Sequence, residues 1–117
     1  MVLPKKVQDA IDALLGSSGK SDAVLRAAVF ERTRTNAGGI PAVPGALELR
    51  ALAEKIDERP WTVSDEDFSK LRQAGYSEDQ IFELTIAAAA GAGVRRFEAG
   101  LRALEAAGDE IEVRDAD

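Results

Sequence analysis

Residues 60–104, PWTVSDEDFSKLRQAGYSEDQIFELTIAAAAGAGVRRFEAGLRAL, hold two helix starts in succession and then a long run interrupted only by glycine. Ser64 is followed three residues later by Asp67, and Ser77 three residues later by Gln80. Each serine can therefore accept from the third amide of its helix while the later side chain returns a bond. Val63 ahead of the first cap is matched by Phe68, and Tyr76 ahead of the second by Ile81, the two positions of a hydrophobic staple. Gly75 supplies the left-handed residue that ends the short first helix. The second helix is predicted from Glu78 to about Ala107, with Ile81, Leu84, Ala88, Leu101 and Leu104 apolar at helical spacing and Gly108 as its stop. Its middle, Ala87 to Gly93, is all alanine and glycine, a surface that another helix can approach closely, from the same chain or from another.

Upstream of this stretch, Val7, Ile11, Leu14 and Leu15 predict a short first helix that Gly16-Ser17-Ser18-Gly19 ends. A second runs from about Asp22 to Thr35, with Val24, Leu25, Ala28 and Val29 on one face, and breaks at Asn36 to Pro41. Ala46, Leu49, Leu52, Ala53 and Ile56 form a third stripe bounded by Pro44 and Pro60, which lack the amide proton a helix interior needs. No strand is predicted, and Ile111 to Val113 falls in an acidic tail expected to fray. The fold class is all-α: a compact helical bundle of about five or six helices with one long Ala-rich helix. Residues 1–43 read as an N-terminal helical hairpin, 44–108 as the helical core and 109–117 as the tail, together one domain.

The chain of 117 residues is 45% apolar but holds only six aromatic side chains, so Leu, Ile, Val and Ala fill its core. A domain of this size buries only about two thirds of its unfolded surface, which favours oligomerisation. Residues 1–50 carry 7 basic and 5 acidic side chains and residues 51–117 carry 8 and 16, giving +2 and −8. That acidic half, with no basic stripe, argues against nucleic acid and anionic membranes as partners. The longest apolar run, Ile86 to Val94, is far short of the roughly 20 residues that span a bilayer, and Met1 to Ser18 has no apolar signal region. A soluble, cytoplasmic protein is expected. The chain has no cysteine and no histidine. That excludes disulfides, thiol nucleophiles, imidazole bases and ordinary zinc or haem sites, and no cofactor or metal is expected.

Leu71-Arg72-Gln73-Ala74-Gly75 with Tyr76-Ser77-Glu78-Asp79-Gln80-Ile81, together with the long Ala-rich helix ending in Arg95-Arg96-Phe97, resembles the alkyl hydroperoxidase D and carboxymuconolactone decarboxylase superfamily. The resemblance covers about residues 44 to 107. It implies a helical bundle of that type. In redox members a Cys-x-x-Cys pair and a histidine four residues on precede this turn, and counting back from Gly75 places them at Pro60, Val63 and Asp67. All three are substituted. The glutamate that assists proton transfer in that family falls at Glu48, and Arg96 falls where many relatives carry arginine. Thiol peroxidase chemistry, which needs a thiolate to attack peroxide and a second thiol to resolve the sulfenic acid, is impossible here.

Two functions remain. One is an oligomeric binding or assembly protein, a homo-oligomer through the long helix that engages a protein partner. The other is a non-redox enzyme of decarboxylase or isomerase type acting on a small anionic ligand, with Glu48 or Asp67 as base, Arg96 as clamp, and Arg95 and Tyr76 as substrate-binding residues. Each candidate also has an architectural explanation: Asp67 as capping residue, Tyr76 as staple, Arg96 as partner of Glu98 or another exposed acid. Arg95 continues the face of Ile81, Leu84, Ala88 and Gly91, so it is expected to be largely buried and to pair with a carboxylate across an interface or with a ligand anion.

Overall fold

A computed structural model describes residues 3–16 and 18–115, with side chains described through Gly108. Five α-helices follow in order: α1 (Lys5–Leu15), α2 (Ala23–Thr35), α3 (Ala46–Glu58), α4 (Asp65–Gln73) and α5 (Glu78–Asp115), with a single 3-10 turn at Pro60–Thr62 before α4. No strand occurs among the described residues. The all-helical expectation and the long final helix hold.

The two predicted helix starts are present as capping boxes. At α4 the Ser64 side chain accepts from the third backbone amide while Asp67 Oδ2 accepts from the Ser64 N–H at 2.9 Å. At α5 the Gln80 N–H donates to Ser77 Oγ at 3.1 Å and the Ser77 N–H to Gln80 Oε1 at 2.8 Å. Between them Gly75 has φ 108°, and two backbone bonds close the end of α4, from Gly75 N–H to the Arg72 carbonyl and from Tyr76 N–H to the Leu71 carbonyl. This is the paired bonding of a Schellman cap, which needs a left-handed residue that glycine adopts without steric cost. Val63, Phe68 and Tyr76 are half-buried against the core and Ile81 lies within it, as the two staples require.

α5 is the axis of the fold. Ile81, Leu84, Ala87, Ala88, Ala92 and Val94 are buried on it, and α2 packs along it more extensively than any other pair of helices in the molecule. α1 touches both α2 and α5. α3 and α4 close the other flank, with Leu49, Leu52, Ala53 and Leu71 fully buried.

Two expectations change. Val24 is 71% exposed, and the buried face of α2 is Leu25, Arg26, Val29, Phe30 and Thr33. The packing of α2 on α5 turns Leu25, Val29 and Phe30 inward and leaves Val24, whose N–H donates to the capping Asp22 at 2.7 Å, on the outside. Gly108 does not end α5, which continues to Asp115. A helix of 38 residues is about 57 Å long at 1.5 Å per residue, and the longest dimension of the molecule is 64 Å. α5 therefore outruns the body that it organises, and every residue from Arg102 to Gly108 is exposed.

Candidate functional site

The close approach that the small residues of α5 permit is made by α2 of the same chain. A Cβ added at Gly91 would overlap the Phe30 carbonyl oxygen and Thr33 Oγ1, and lie 3.0 Å from the Arg34 amide nitrogen. Thr33 Oγ1 donates to the Ala88 carbonyl at 2.7 Å, so the helices are bonded as well as packed where they touch. Gly91 thus serves the core. Gly93 and Gly100, on the opposite face, have no atom within 4 Å of such a Cβ.

Each end of the α2–α5 seam carries a buried charge. At the N-terminal end Arg26, almost fully buried, donates to the Leu14 carbonyl at 3.1 Å, to the Ser21 carbonyl at 2.6 Å, to Ser21 Oγ at 2.9 Å and to the Gly16 carbonyl. It also meets Glu83 Oε1 at 3.3 Å. These bonds satisfy carbonyls left open where α1 ends. Glu83 accepts from the Lys20 N–H at 2.7 Å and from the Ser21 N–H and hydroxyl at 2.9 Å. The two backbone donors hold the Glu83 pKa below its ordinary value against opposing desolvation, helped by the Ser21 hydroxyl and Arg26. The α1–α2 loop is fastened to α5 through this knot.

At the other end Asp57, only 4% exposed, receives both consecutive arginines of α5. Arg95 donates to it through two bonds of 2.6 and 2.9 Å and to the Thr33 carbonyl at 2.6 Å. Arg96 donates to the Asp57 carbonyl and meets Oδ1 at 3.1 Å. The hydrogen bonds to Asp57 raise the Arg95 pKa; partial burial opposes them, and the charges of Asp57 and Glu58 add to the increase. Arg95 is paired, as its position on the stripe implies, but its carboxylate lies in its own chain, and its side chain remains 29% exposed. Glu98, the acid expected beside Arg96, lies instead 3.5 Å from Arg34.

The other candidates divide between separate places. Glu48 and Asp67 line one shallow hollow of about 250 Å³ with Leu47, Ala51 and Lys70. Within it Asp67 is held by Lys55 Nζ at 2.8 Å. Desolvation pushes the Asp67 pKa up, but bonds from Lys55 and Ser64 outweigh it and leave the carboxyl below its ordinary value, the opposite of what a general base gains from burial. Tyr76 donates from its hydroxyl to the Pro44 carbonyl at 2.6 Å, and burial raises its pKa. Gly45, with φ 73° and a would-be Cβ 2.9 Å from Ala74 Cβ, lets the start of α3 lie against that turn. Arg95 and Arg96 meet the other end of α3 at Asp57, nine residues and about 14 Å along the helix from Glu48 at 1.5 Å per residue. The carboxylates come together and the arginines come together, but not the two sets with each other.

A larger concave surface lies elsewhere. Between α1 and α5 is an apolar trough of about 610 Å³ whose walls include Val7, Ile11, Ile86, Ala90, Gly93 and Phe97, with Lys6 at the rim. Beyond the trough the same face of α5 carries Leu104, 69% exposed, and Phe97 is itself 41% exposed. Among the described residues no group of three acidic side chains is arranged to hold a metal ion, and no helix is long and apolar enough to cross a membrane.

Sequence reasoning found Arg95 and missed Asp57, Arg26, Glu83 and Thr33. Asp57 was readable by the rule that singled out Arg95, since it falls four residues after Ala53 on the buried stripe of α3. Arg26 had no such signal, because most of its partners are backbone carbonyls at the end of α1 and in the loop that follows it. No family model matches the chain, and no curated protein or solved structure matches it significantly.

Proposed function

We propose that this protein is an alkyl hydroperoxidase D-like helical protein without thiol peroxidase activity, which acts as a binding or assembly protein and forms a homo-oligomer through α5. The observation that carries the reading is the outer face of α5, where Ile86, Phe97 and Leu104 stand exposed at helical spacing beside an apolar trough and continue past the body. Monomeric domains rarely leave so continuous an apolar surface uncovered, and surfaces of this kind mark interaction sites. The face lies opposite the Gly91 contact, so α5 can hold α2 and another helix together.

The enzyme reading draws support from one feature, the hollow shared by Glu48 and Asp67. It lacks an arginine there to hold an anion.

A native mass spectrum separates the two. The assembly reading predicts a bare oligomer that Leu104→Glu reduces to monomer. A monomeric wild-type protein, or an oligomer that Leu104→Glu leaves intact, overturns it. A small molecule retained from the cell and lost in Glu48→Gln supports the enzyme instead.

A further inference from the structure

Taking that reading of α5 as the interface, we infer that its partner is a second copy of the same helix, packed antiparallel in one register, with the acidic end of each α5 laid against the lysines that open α1 of the other. The uncovered face of α5 carries a heptad repeat. Ala90, Phe97 and Leu104 recur every seven residues, and Gly93, Gly100 and Ala107 recur three positions after them. These are the a and d places of a helix pair. In the single chain Phe97, Leu104, Gly93, Gly100 and Ala107 are exposed on this face, whereas Gly91 and Ala92 face inward.

Antiparallel pairing sets a positions against d positions. One register opposes Leu104 to Gly100 and Phe97 to Ala107, so that each large residue meets a small one. Facing layers of alternating size interdigitate without voids or overlap. A parallel pair in register would stack Phe97 on Phe97 and Leu104 on Leu104, leaving the glycine layers empty.

Charge selects the same arrangement. Residues 105–117 hold Glu105, Asp109, Glu110, Glu112, Asp115 and Asp117 against one base, Arg114. A parallel pair would bring two such ends together. In the antiparallel register position 109 of one copy reaches the level of position 95 of the other. Lys6 borders the trough beside Phe97 there, and Lys5 precedes it at the start of α1. α1 runs antiparallel to α5, because Arg26 joins its far end, Leu14 and Gly16, to Glu83. Its lysines are therefore at the end of the body from which α5 emerges. The occupant of the trough is the end of the partner's α5.

The test uses the 117-residue chain, whose lack of cysteine and histidine leaves a clean background. Carbodiimide coupling of an equal mixture of unlabelled and 15N-labelled wild-type chains should give mixed-isotope peptides joining Lys5 or Lys6 to Asp109, Glu110 or Glu112. Leu104→Cys mixed with Gly100→Cys, and Phe97→Cys mixed with Ala107→Cys, should each form a disulfide between chains under mild oxidation. Leu104→Cys alone should not, because antiparallel copies set those two positions further apart than a disulfide spans. An oligomer that gives Leu104→Cys homodimers and no Lys–acid link between chains overturns the register but keeps α5 as the interface. A wild-type protein that runs as a monomer at all concentrations overturns both.

Discussion

Asp57 and Arg95, 38 positions apart in sequence, close α3 onto α5 through two charge-assisted bonds of 2.6 and 2.9 Å. The carboxylate sits in the last turn of α3, where the helix dipole disfavours negative charge, and both guanidiniums offset that cost. Arg95 also caps the Thr33 carbonyl near the end of α2, so one side chain joins three helices.

Substituting Asp57 by Asn removes the charge and one acceptor while leaving two guanidiniums in place. Both are partly exposed and can turn to water, so the expected loss is about 1–3 kcal/mol rather than the larger figure for a fully enclosed pair. Arg96→Ala should cost less than Arg95→Ala, since Arg96 is the more exposed partner. Urea denaturation of the three variants checks the order, and equal losses for the two arginines would show that the carboxylate does not distinguish them.

Gly91→Ala forces a methyl group into the Phe30 carbonyl and Thr33 hydroxyl, with an expected cost of about 1–3 kcal/mol from overpacking. Gly108→Ala meets nothing and should gain about 0.5–1 kcal/mol from helix propensity. Thermal melts of both measure the contrast. A neutral Gly91→Ala would mean that α2 and α5 are further apart than described.

The elements were readable in the sequence because their determinants are local. Ser64, Gly75 and Ser77 act through neighbours three to five residues away, so the two capping boxes and the turn could be placed from spacing alone. The contacts between elements depend on helix rotation. Val24 and Leu25 are adjacent letters of similar character, and only the packing of α2 on α5 decides which is buried. Gly108 looked like a stop, yet one glycine costs about 1 kcal/mol in a helix and does not end this one. The carboxylates and arginines proposed as one site were each visible, but the distance between Glu48 and Asp57 along α3 becomes decisive only once both are known to face different neighbours.

Acid should weaken the fold through Glu83 and Asp67. Each has a folded-state pKa below its ordinary value, 4.5 for glutamate and 3.8 for aspartate. A depressed carboxyl stabilises the folded state above the unfolded pKa and loses that contribution as pH falls through the folded one. Stability should therefore be flat above about pH 5 with respect to these groups and decline below it. Glu83→Gln should be less stable at neutral pH and decline less on acidification, followed by denaturant midpoints from pH 7 to 3. An unchanged pH profile in that variant would remove Glu83 as a source of acid sensitivity.

Replacing Arg26 by Met keeps bulk but strips the Leu14, Gly16 and Ser21 carbonyls and Glu83 of their shared donor. The expected cost is about 3–5 kcal/mol, the range for breaking a buried charged network. Arg34→Met, at the exposed edge of α2, should change stability by about 1 kcal/mol or less. Calorimetry of the pair tests whether the buried guanidinium or arginine in general matters to α2.

The most direct test of α5 as an interface is amide hydrogen exchange along Gly100 to Gly108 at low and high protein concentration. In a lone chain every residue from Arg102 to Gly108 is exposed, and short unsupported helical turns are marginal in water. With α5 as the interface, exchange there is slow at high concentration and becomes fast on dilution, while Ile81 to Ala92 stays protected throughout. Fast exchange from Gly100 to Gly108 at every concentration would contradict it.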